Sequence, residues 1–183
     1  MVFIERACTR TTENTDRIEF SLLDATDSDA LMALGERRFD ATVCTMAIMD
    51  MSSIEPMIGA LSRLLRPGGR SVFSLMHPCF NAPTAVLTTE TEDRDGELVT
   101  THSVKMSRYI TPEARCGVGV AGQPEPHYYF TRPTSLLFNL CVQAGFVLDG
   151  IEEPVFDPGS VSGSWASRAE IPPILAARMR LPA

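Results

Sequence analysis

The stretch from Phe39 to Met76, FDATVCTMAIMDMSSIEPMIGALSRLLRPGGRSVFSLM, decides the fold of this chain. It opens on a short run, Phe39–Thr45, that is typical of a strand. Apolar residues then recur at helical spacing from Ile54 to Leu65. The string Arg66-Pro67-Gly68-Gly69 ends that helix, and Ser71–Met76 is again typical of a strand. Strand, helix and strand of these lengths predict a right-handed βαβ unit with two parallel strands.

Both flanks continue the alternation of strands and helices. Upstream, Ile18–Leu22 alternates apolar and polar residues as a strand does, and the acidic turn Asp24–Asp29 precedes a short helix. Downstream, the pattern predicts a helix over 136–144, a strand that begins at Phe146, a loop over 158–164 and a last strand over 174–181. The predicted fold class is therefore α/β, with a parallel sheet in a single domain over residues 1–183.

An insertion over residues 81–127 interrupts this alternation, and it is longer than a bare connection in a compact domain. Two runs rich in threonine and valine, 84–89 and 98–102, flank Asp95-Gly96, a pair typical of hairpin turns. We therefore expect a β-hairpin followed by a loop, which together form an inserted flap or lid.

Composition excludes several classes of function. The chain has 183 residues, 44% of them hydrophobic, and a formal net charge of −7. No stretch approaches the roughly 20 apolar residues of a membrane span, and the scattered Lys and Arg residues argue against a nucleic-acid partner. Five cysteines without a C-x-x-C pair suggest neither disulfides nor a zinc site. We expect a cytoplasmic protein with no metal, no membrane and no nucleic acid.

Candidate binding residues follow two of the predicted strands. Ligands of open α/β sheets bind at the carboxyl ends of the strands, where Asp24 and Thr45-Met46-Ala47 lie. The Asp24 carboxylate could accept a hydrogen bond from an adenine amino group. It could equally cap the next helix.

A second group of candidates follows the strand that ends at Met76. His77 could act as a general base or orient a substrate, or it could simply be hydrogen-bonded at the strand end. Phe80 lies close to it in the sequence. The residues in and after the insertion that could line a pocket or anchor the returning chain are Tyr109, His127, Tyr128, Tyr129 and Arg132.

One motif that suggests chemistry is read as accidental. Residues 117–122 match the G-x-G-x-x-G dinucleotide fingerprint, but Gln123-Pro124-Glu125-Pro126 follows and prevents the helix that such a fingerprint needs. Neither a nucleophile elbow nor a G-x-x-x-x-G-K-[ST] loop occurs, so hydrolase and nucleoside-triphosphatase functions are not predicted.

The strings quoted above resemble class I S-adenosylmethionine-dependent methyltransferases, in particular a small-molecule branch. The similarity lies in Leu64–Gly69, then His77-Pro78-Cys79-Phe80, then Tyr129–Pro133 and Ala144-Gly145-Phe146, in that order. It implies a Rossmann-like methyltransferase sheet, S-adenosylmethionine as cofactor and a small-molecule acceptor.

The resemblance also implies roles for individual residues. Asp24 and Ala25 would contact the adenine, and Thr45, Met46 and Ala47 would lie along the methionine part of the cofactor. The residues that would face the acceptor are His77, Phe80, Tyr109 and Arg132. His77 would be the catalytic base if the acceptor must lose a proton.

The chain departs from the family in its opening segment. Family members begin with a strand, a glycine-rich turn and a second strand that ends in an acid, whereas residues 1–7 here resemble the helix that follows. The chain is therefore expected to be truncated, with an incomplete sheet. Two strands, Ile18–Leu22 and Phe39–Thr45, would then either pair with each other or leave an edge through which the chain forms a homodimer. The alternative function is a non-catalytic α/β remnant that serves in binding or dimerisation.

Overall fold

A computed structural model describes residues 2–119 and 122–183. Four helices and eight strands are named here in chain order: α1 Val2–Arg10, α2 Ser28–Met32, β1 Phe39–Thr45, α3 Glu55–Leu64, β2 Leu65–Met76, β3 Ala85–Arg94, β4 Glu97–Met106, β5 Glu113–Gly117, β6 His127–Thr131, α4 Thr134–Gln143, β7 Val147–Glu152 and β8 Ile174–Arg180. A four-stranded mixed sheet in the order β1-β2-β8-β7 forms the centre of the molecule. The chain thus has the α/β fold class that the sequence predicts.

The predicted βαβ unit is confirmed. β1 and β2 pair in parallel, and α3 connects them. The register jumps between the pairs Phe39↔Leu65 and Ala41↔Arg70, so that Arg66-Pro67-Gly68-Gly69 forms a bulge. A Cβ on Gly69 would lie 2.7 Å from the Arg66 carbonyl oxygen, so only glycine fits this turn out of the helix.

The hydrophobic core lies on one face of the sheet. α3 and α4 supply Met57, Ile58, Leu64, Leu137 and Cys141, which are all buried with Phe73, Leu75, Leu175 and Met179 of β2 and β8. On β1 the neighbours Val43 and Cys44 point to opposite faces, because side chains alternate along a strand. Val43 is 73% exposed, so the face opposite the core is open at β1.

The expected strand at Ile18–Leu22 is wrong. These residues form neither a helix nor a strand and pair with no strand of the described chain, and Leu22 is 77% exposed. Alternation alone does not make a strand, because strand stability comes from cross-strand neighbours. The expected pairing of this segment with β1 therefore does not occur, and β1 is an edge strand whose partner in the described sheet is β2.

The predicted hairpin is confirmed and is longer than expected. β3 and β4 pair antiparallel over ten residues each, and Asp95 and Gly96 both adopt positive φ in the turn, as a type I′ turn requires. The remainder of the insertion is not a simple loop, because β5 pairs with β6 in a second two-stranded sheet. No helix of residues 2–119 and 122–183 combines the length and the apolar character that crossing a membrane requires.

Two downstream predictions differ in outcome. The last strand is confirmed as β8, which pairs antiparallel with both β2 and β7. The segment expected to be a loop over 158–164 contains the short 3₁₀ helix Pro158–Ser160 and the start of another, Gly163–Ala169. The sequence gives no periodic signal for such short helices.

Candidate functional site

Three strands of the central sheet end at the same edge. β1 and β2 are parallel, and β7 runs in the direction of β2 because each pairs antiparallel with β8. The loops after Thr45, Met76 and Glu152 therefore leave the sheet side by side. This is the edge at which open α/β sheets bind ligands.

The loop after β1 has an unusual backbone. Met46 adopts a left-handed conformation with φ of 50°, and its N–H donates to the Ser74 carbonyl of β2 at 2.9 Å. The 3₁₀ helix Ile48–Asp50 follows, and Ile48 is buried. A left-handed residue other than glycine costs about 1 kcal/mol or more, and such residues concentrate at functional sites. The loop that the sequence nominates is thus a strained one.

His77 lies where the sequence places it, but both of its ring nitrogens are engaged. Nδ1 accepts a hydrogen bond from the Cys79 backbone N–H at 3.1 Å, and Nε2 lies 2.7 Å from Glu153 Oε1. This network assigns the proton to Nε2, which donates to the carboxylate. His77 is 3% exposed, and its ring lies tilted against that of Phe80, with ring centroids 4.5 Å apart. His77 can accept a proton only if one of these bonds breaks.

A residue that the sequence analysis did not select, Arg168, anchors the loop after His77. Its guanidinium donates to the Phe80 carbonyl at 2.9 Å and to Asn81 Oδ1 at 3.0 Å. Arg168 is 3% exposed, and burial lowers its pKa. Arg168 follows the segment 158–164 that the sequence predicts as a loop, and no motif around it indicates a buried cation.

Tyr109 and Arg132 both serve as anchors. The Tyr109 hydroxyl accepts a hydrogen bond from the Thr134 backbone N–H at 2.8 Å and so caps the first turn of α4. Arg132 donates to backbone carbonyl oxygens of the loop after β1, among them that of Met51 at 2.6 Å. The structure brings Arg132 and the loop after β1 together, although they are far apart in the sequence.

Two cavities share a wall made by Phe130, Thr131 and Arg132. The smaller, of about 20 Å³, also touches Met49, Met76, Pro78 and Asn81. The larger is a cleft of about 310 Å³ between this wall and the side chains of Ser52, Glu55, Pro112, Glu113, Ala114 and Leu136. The space for a small molecule at this edge thus lies beside the loop after β1.

Asp24 is an exposed carboxylate held by its own turn. Its Oδ1 accepts hydrogen bonds from the backbone N–H and the hydroxyl of Thr26, both at 2.8 Å, and these bonds lower its pKa. The interpretation of Asp24 as a helix cap is wrong, because Asp27 caps α2 by accepting from Asp29 and Ala30. Ala25 is half-buried against the core. Asp24 Oδ2 makes no hydrogen bond within the described chain.

A cluster of side chains borders the loop after β1, and the sequence selects its His127 and Tyr129 but not its Asp50. His127 Nε2 lies 3.4 Å from Asp50 Oδ1, and its Nδ1 lies 2.7 Å from Gln123 Nε2. The His127 and Tyr129 rings contact each other at a tilt, with ring centroids 4.2 Å apart. Burial, and secondarily the Asp50 charge, raise the pKa of Tyr129. Neither spacing nor a motif links Asp50 to His127, so only the fold reveals the cluster.

Two other predictions concern motifs and metals. Gly117 ends β5 and no helix occurs over 122–126, although Val120 and Ala121 lie outside the described residues. The part of the string that is described therefore lacks the strand-to-helix turn of a dinucleotide site. Within the described ranges, no three His, Cys, Asp or Glu side chains gather as a metal site would require.

Comparison with solved structures shows the same fold in methyltransferases. A protein from Listeria monocytogenes, provisionally assigned as an S-adenosylmethionine-dependent methyltransferase, matches with a TM-score of 0.72 and 17% identity over 98% of this chain and 75% of its own. An S-adenosylmethionine-dependent methyltransferase from Mesorhizobium loti matches with a TM-score of 0.69 and 18% identity over 96% and 74%. The glycopeptide N-methyltransferase MtfA, in complex with S-adenosyl-L-methionine, matches with a TM-score of 0.55 and 14% identity over 98% and 72%.

At the level of sequence, no family model matches the chain and no curated protein is significantly similar to it. The structural matches therefore establish the fold, which is that of S-adenosylmethionine-dependent methyltransferases, as the resemblance implied. Within residues 2–119 and 122–183, no glycine-rich turn leads from a strand into an α-helix. The glycine-rich turn that the resemblance calls for is thus not among the described elements.

Proposed function

We propose that the chain binds S-adenosylmethionine at the carboxyl edge of β1 and transfers its methyl group to a small molecule. The observation that carries the proposal is the strained loop after β1, which lies beside a cleft of about 310 Å³ in a fold shared with such methyltransferases. Ligand sites in this sheet type form at that edge.

We assign two groups of residues to two parts of the cofactor, one from the turn before α2 and one from the end of β1. Asp24 has a lowered pKa and a free oxygen, so it offers an ionised acceptor to the adenine amino group. Thr45, Met46 and Ala47 supply backbone polar groups and apolar contacts for the methionine part. Together with Ala25, these are the residues that we assign to cofactor binding.

On the acceptor side, the walls of the cleft hold the acceptor in position and do not supply an acid or a base. The bound cofactor supplies an electrophilic methyl group on a sulfonium centre. The chain has to align the acceptor with that methyl and exclude water. The residues that fix the walls around the acceptor are His77, Phe80, Tyr109 and Arg132. The β3–β4 hairpin is the proposed flap over the acceptor. In this proposal His77 orients its loop instead of acting as the base.

Calorimetric titration with S-adenosylhomocysteine tests the cofactor site. We expect saturable binding of one equivalent. Asp24→Asn should weaken it about tenfold, because one charge-assisted hydrogen bond is lost. Asp16→Asn is the matched control, since Asp16 is equally exposed and carries no assigned contact. Equal affinities for both variants would remove Asp24 from the site.

The alternative is a non-catalytic α/β remnant that serves in binding or dimerisation. The structural matches do not favour it, because the fold they share is that of enzymes that use the cofactor. No heat from the wild-type titration at millimolar ligand would make it the better account.

We assign the protein to the cytoplasm on the strength of its five unpaired cysteines, a placement that fits a reducing compartment.

A further inference from the structure

Arg132 forms three hydrogen bonds with the loop after β1, and no sequence pattern predicts them. Its Nη2 donates to the carbonyl oxygens of Met51 at 2.6 Å and Ser52 at 2.9 Å. Its Nη1 donates to the carbonyls of Ile48 and Phe130, each at 3.3 Å. One side chain, directly after β6, thus binds the first residue of the 3₁₀ helix Ile48–Asp50 and the two residues that follow this helix.

The bonds from Nη2 satisfy the carbonyls of Met51 and Ser52, which accept no backbone hydrogen bond from the loops and turns of the described chain, whereas the Ile48 carbonyl also accepts from the Met51 N–H at 3.4 Å. The last carbonyls of a short helix have no partner within it and carry its negative dipole end, which favours a cation. Arg132 is half-buried, and this burial lowers its pKa, whereas Glu55 raises it more weakly. Within the described chain, no carboxylate lies within salt-bridge distance of Arg132. Carbonyl dipoles take the place of a counterion.

The loop needs such support. Met46 is left-handed, and the described loop from Thr45 to Ser52 contains no glycine to relieve it. A strained backbone persists only where the surroundings hold it. The planar fork of an arginine spreads its N–H donors over separate nitrogens and so reaches carbonyls that lie apart, whereas a lysine directs its three donors from one nitrogen.

We infer that Arg132 is a positioning residue that holds the loop after β1 in the shape that binds the cofactor. This inference rests on the proposed function. Because Arg132 also lines the cleft of about 310 Å³, it ties the wall of the acceptor cleft to the cofactor loop. If the loop is ordered in only a fraction of the molecules, the apparent affinity for the ligand falls in proportion to that fraction.

Amide hydrogen exchange and calorimetry on Arg132→Lys test the inference. We expect exchange over residues 46–53 of the ligand-free variant to be about tenfold faster, with amides of β2 and β8 unchanged, since only the loop is released. S-adenosylhomocysteine affinity should fall by about the same factor. Arg115→Lys, on neighbouring β5, is the control and should change neither. Arg132→Gln, which keeps two N–H donors, serves if the lysine variant does not fold.

Each outcome decides one step. Unchanged exchange over residues 46–53 would overturn the inference directly. Faster loop exchange with wild-type affinity would show that Arg132 orders the loop without setting cofactor binding, which also overturns it. Failure of the wild-type chain to bind S-adenosylhomocysteine would instead overturn the proposed function, and the exchange result on the ligand-free protein would still report whether Arg132 holds the loop.

Discussion

At the scale of single residues, the candidate site consists mostly of side chains that hold backbone in place. His77 bonds to Cys79 and Glu153, while Tyr109 caps α4. The sequence nominated His77 as a polar group at a strand end and Tyr109 as part of the insertion. Their partners, which decide whether they act as anchors or as catalysts, come from distant segments and become visible only in the fold.

Substituting His77 separates these two roles. We expect His77→Ala to lower the free energy of unfolding by about 2 kcal/mol, because it leaves the Cys79 N–H unsatisfied and opens a cavity at a buried position. His127→Ala, at a ring that is 44% exposed, should change it by less than about 0.5 kcal/mol. Urea unfolding measures both. Unchanged stability of His77→Ala combined with lost methyl transfer would instead restore His77 as the base.

At the scale of elements, the sequence predicted those that local periodicity defines. α3, α4 and β8 follow from apolar spacing, and the β3–β4 hairpin follows from Asp95-Gly96. The segment Ile18–Leu22 has strand periodicity but no partner to pair with, and β5 lies in a stretch without a periodic signal. Pairing between distant segments is the information that a local pattern does not contain.

The turn between α3 and β2 gives a matched test of two glycines. We expect Gly69→Ala to cost about 2 kcal/mol of unfolding free energy, because its Cβ would meet the Arg66 and Asp40 carbonyl oxygens at 2.7 and 3.2 Å. Gly59→Ala, inside α3 with open space around it, should stabilise the protein by about 0.5–1 kcal/mol. Thermal and urea unfolding of the two variants measure whether the two changes in unfolding free energy have opposite signs. Equal effects would mean that the bulge is not held as described.

At the scale of the whole molecule, the feature that stands out is the free edge of β1. One side of β1 pairs with β2, and the other side meets no strand of the described sheet. Val43, at the middle of this strand, is largely exposed. Unpaired edges of this kind invite pairing with another chain, and charged side chains on them oppose it.

We therefore predict that the chain self-associates through β1. Sedimentation velocity should show a concentration-dependent dimer that Val43→Lys shifts toward monomer. Leu98→Lys, at a similarly exposed apolar residue on the hairpin, should leave the dimer intact. A wild-type chain that stays monomeric at concentrations of about 100 μM, well above the Kd of a stable dimer, would contradict the prediction.

The central claim is that one edge of the sheet, at the end of β1, holds the cofactor. A backbone amide NMR titration of this chain with S-adenosylhomocysteine locates the bound ligand without requiring an acceptor. The largest shift changes should fall on Asp24, Ala25 and residues 45–47. Changes confined to other segments, such as the cavity of about 400 Å³ between Thr100–His102 and Ala166–Ile171, would contradict the account, as would the absence of any change at saturating ligand.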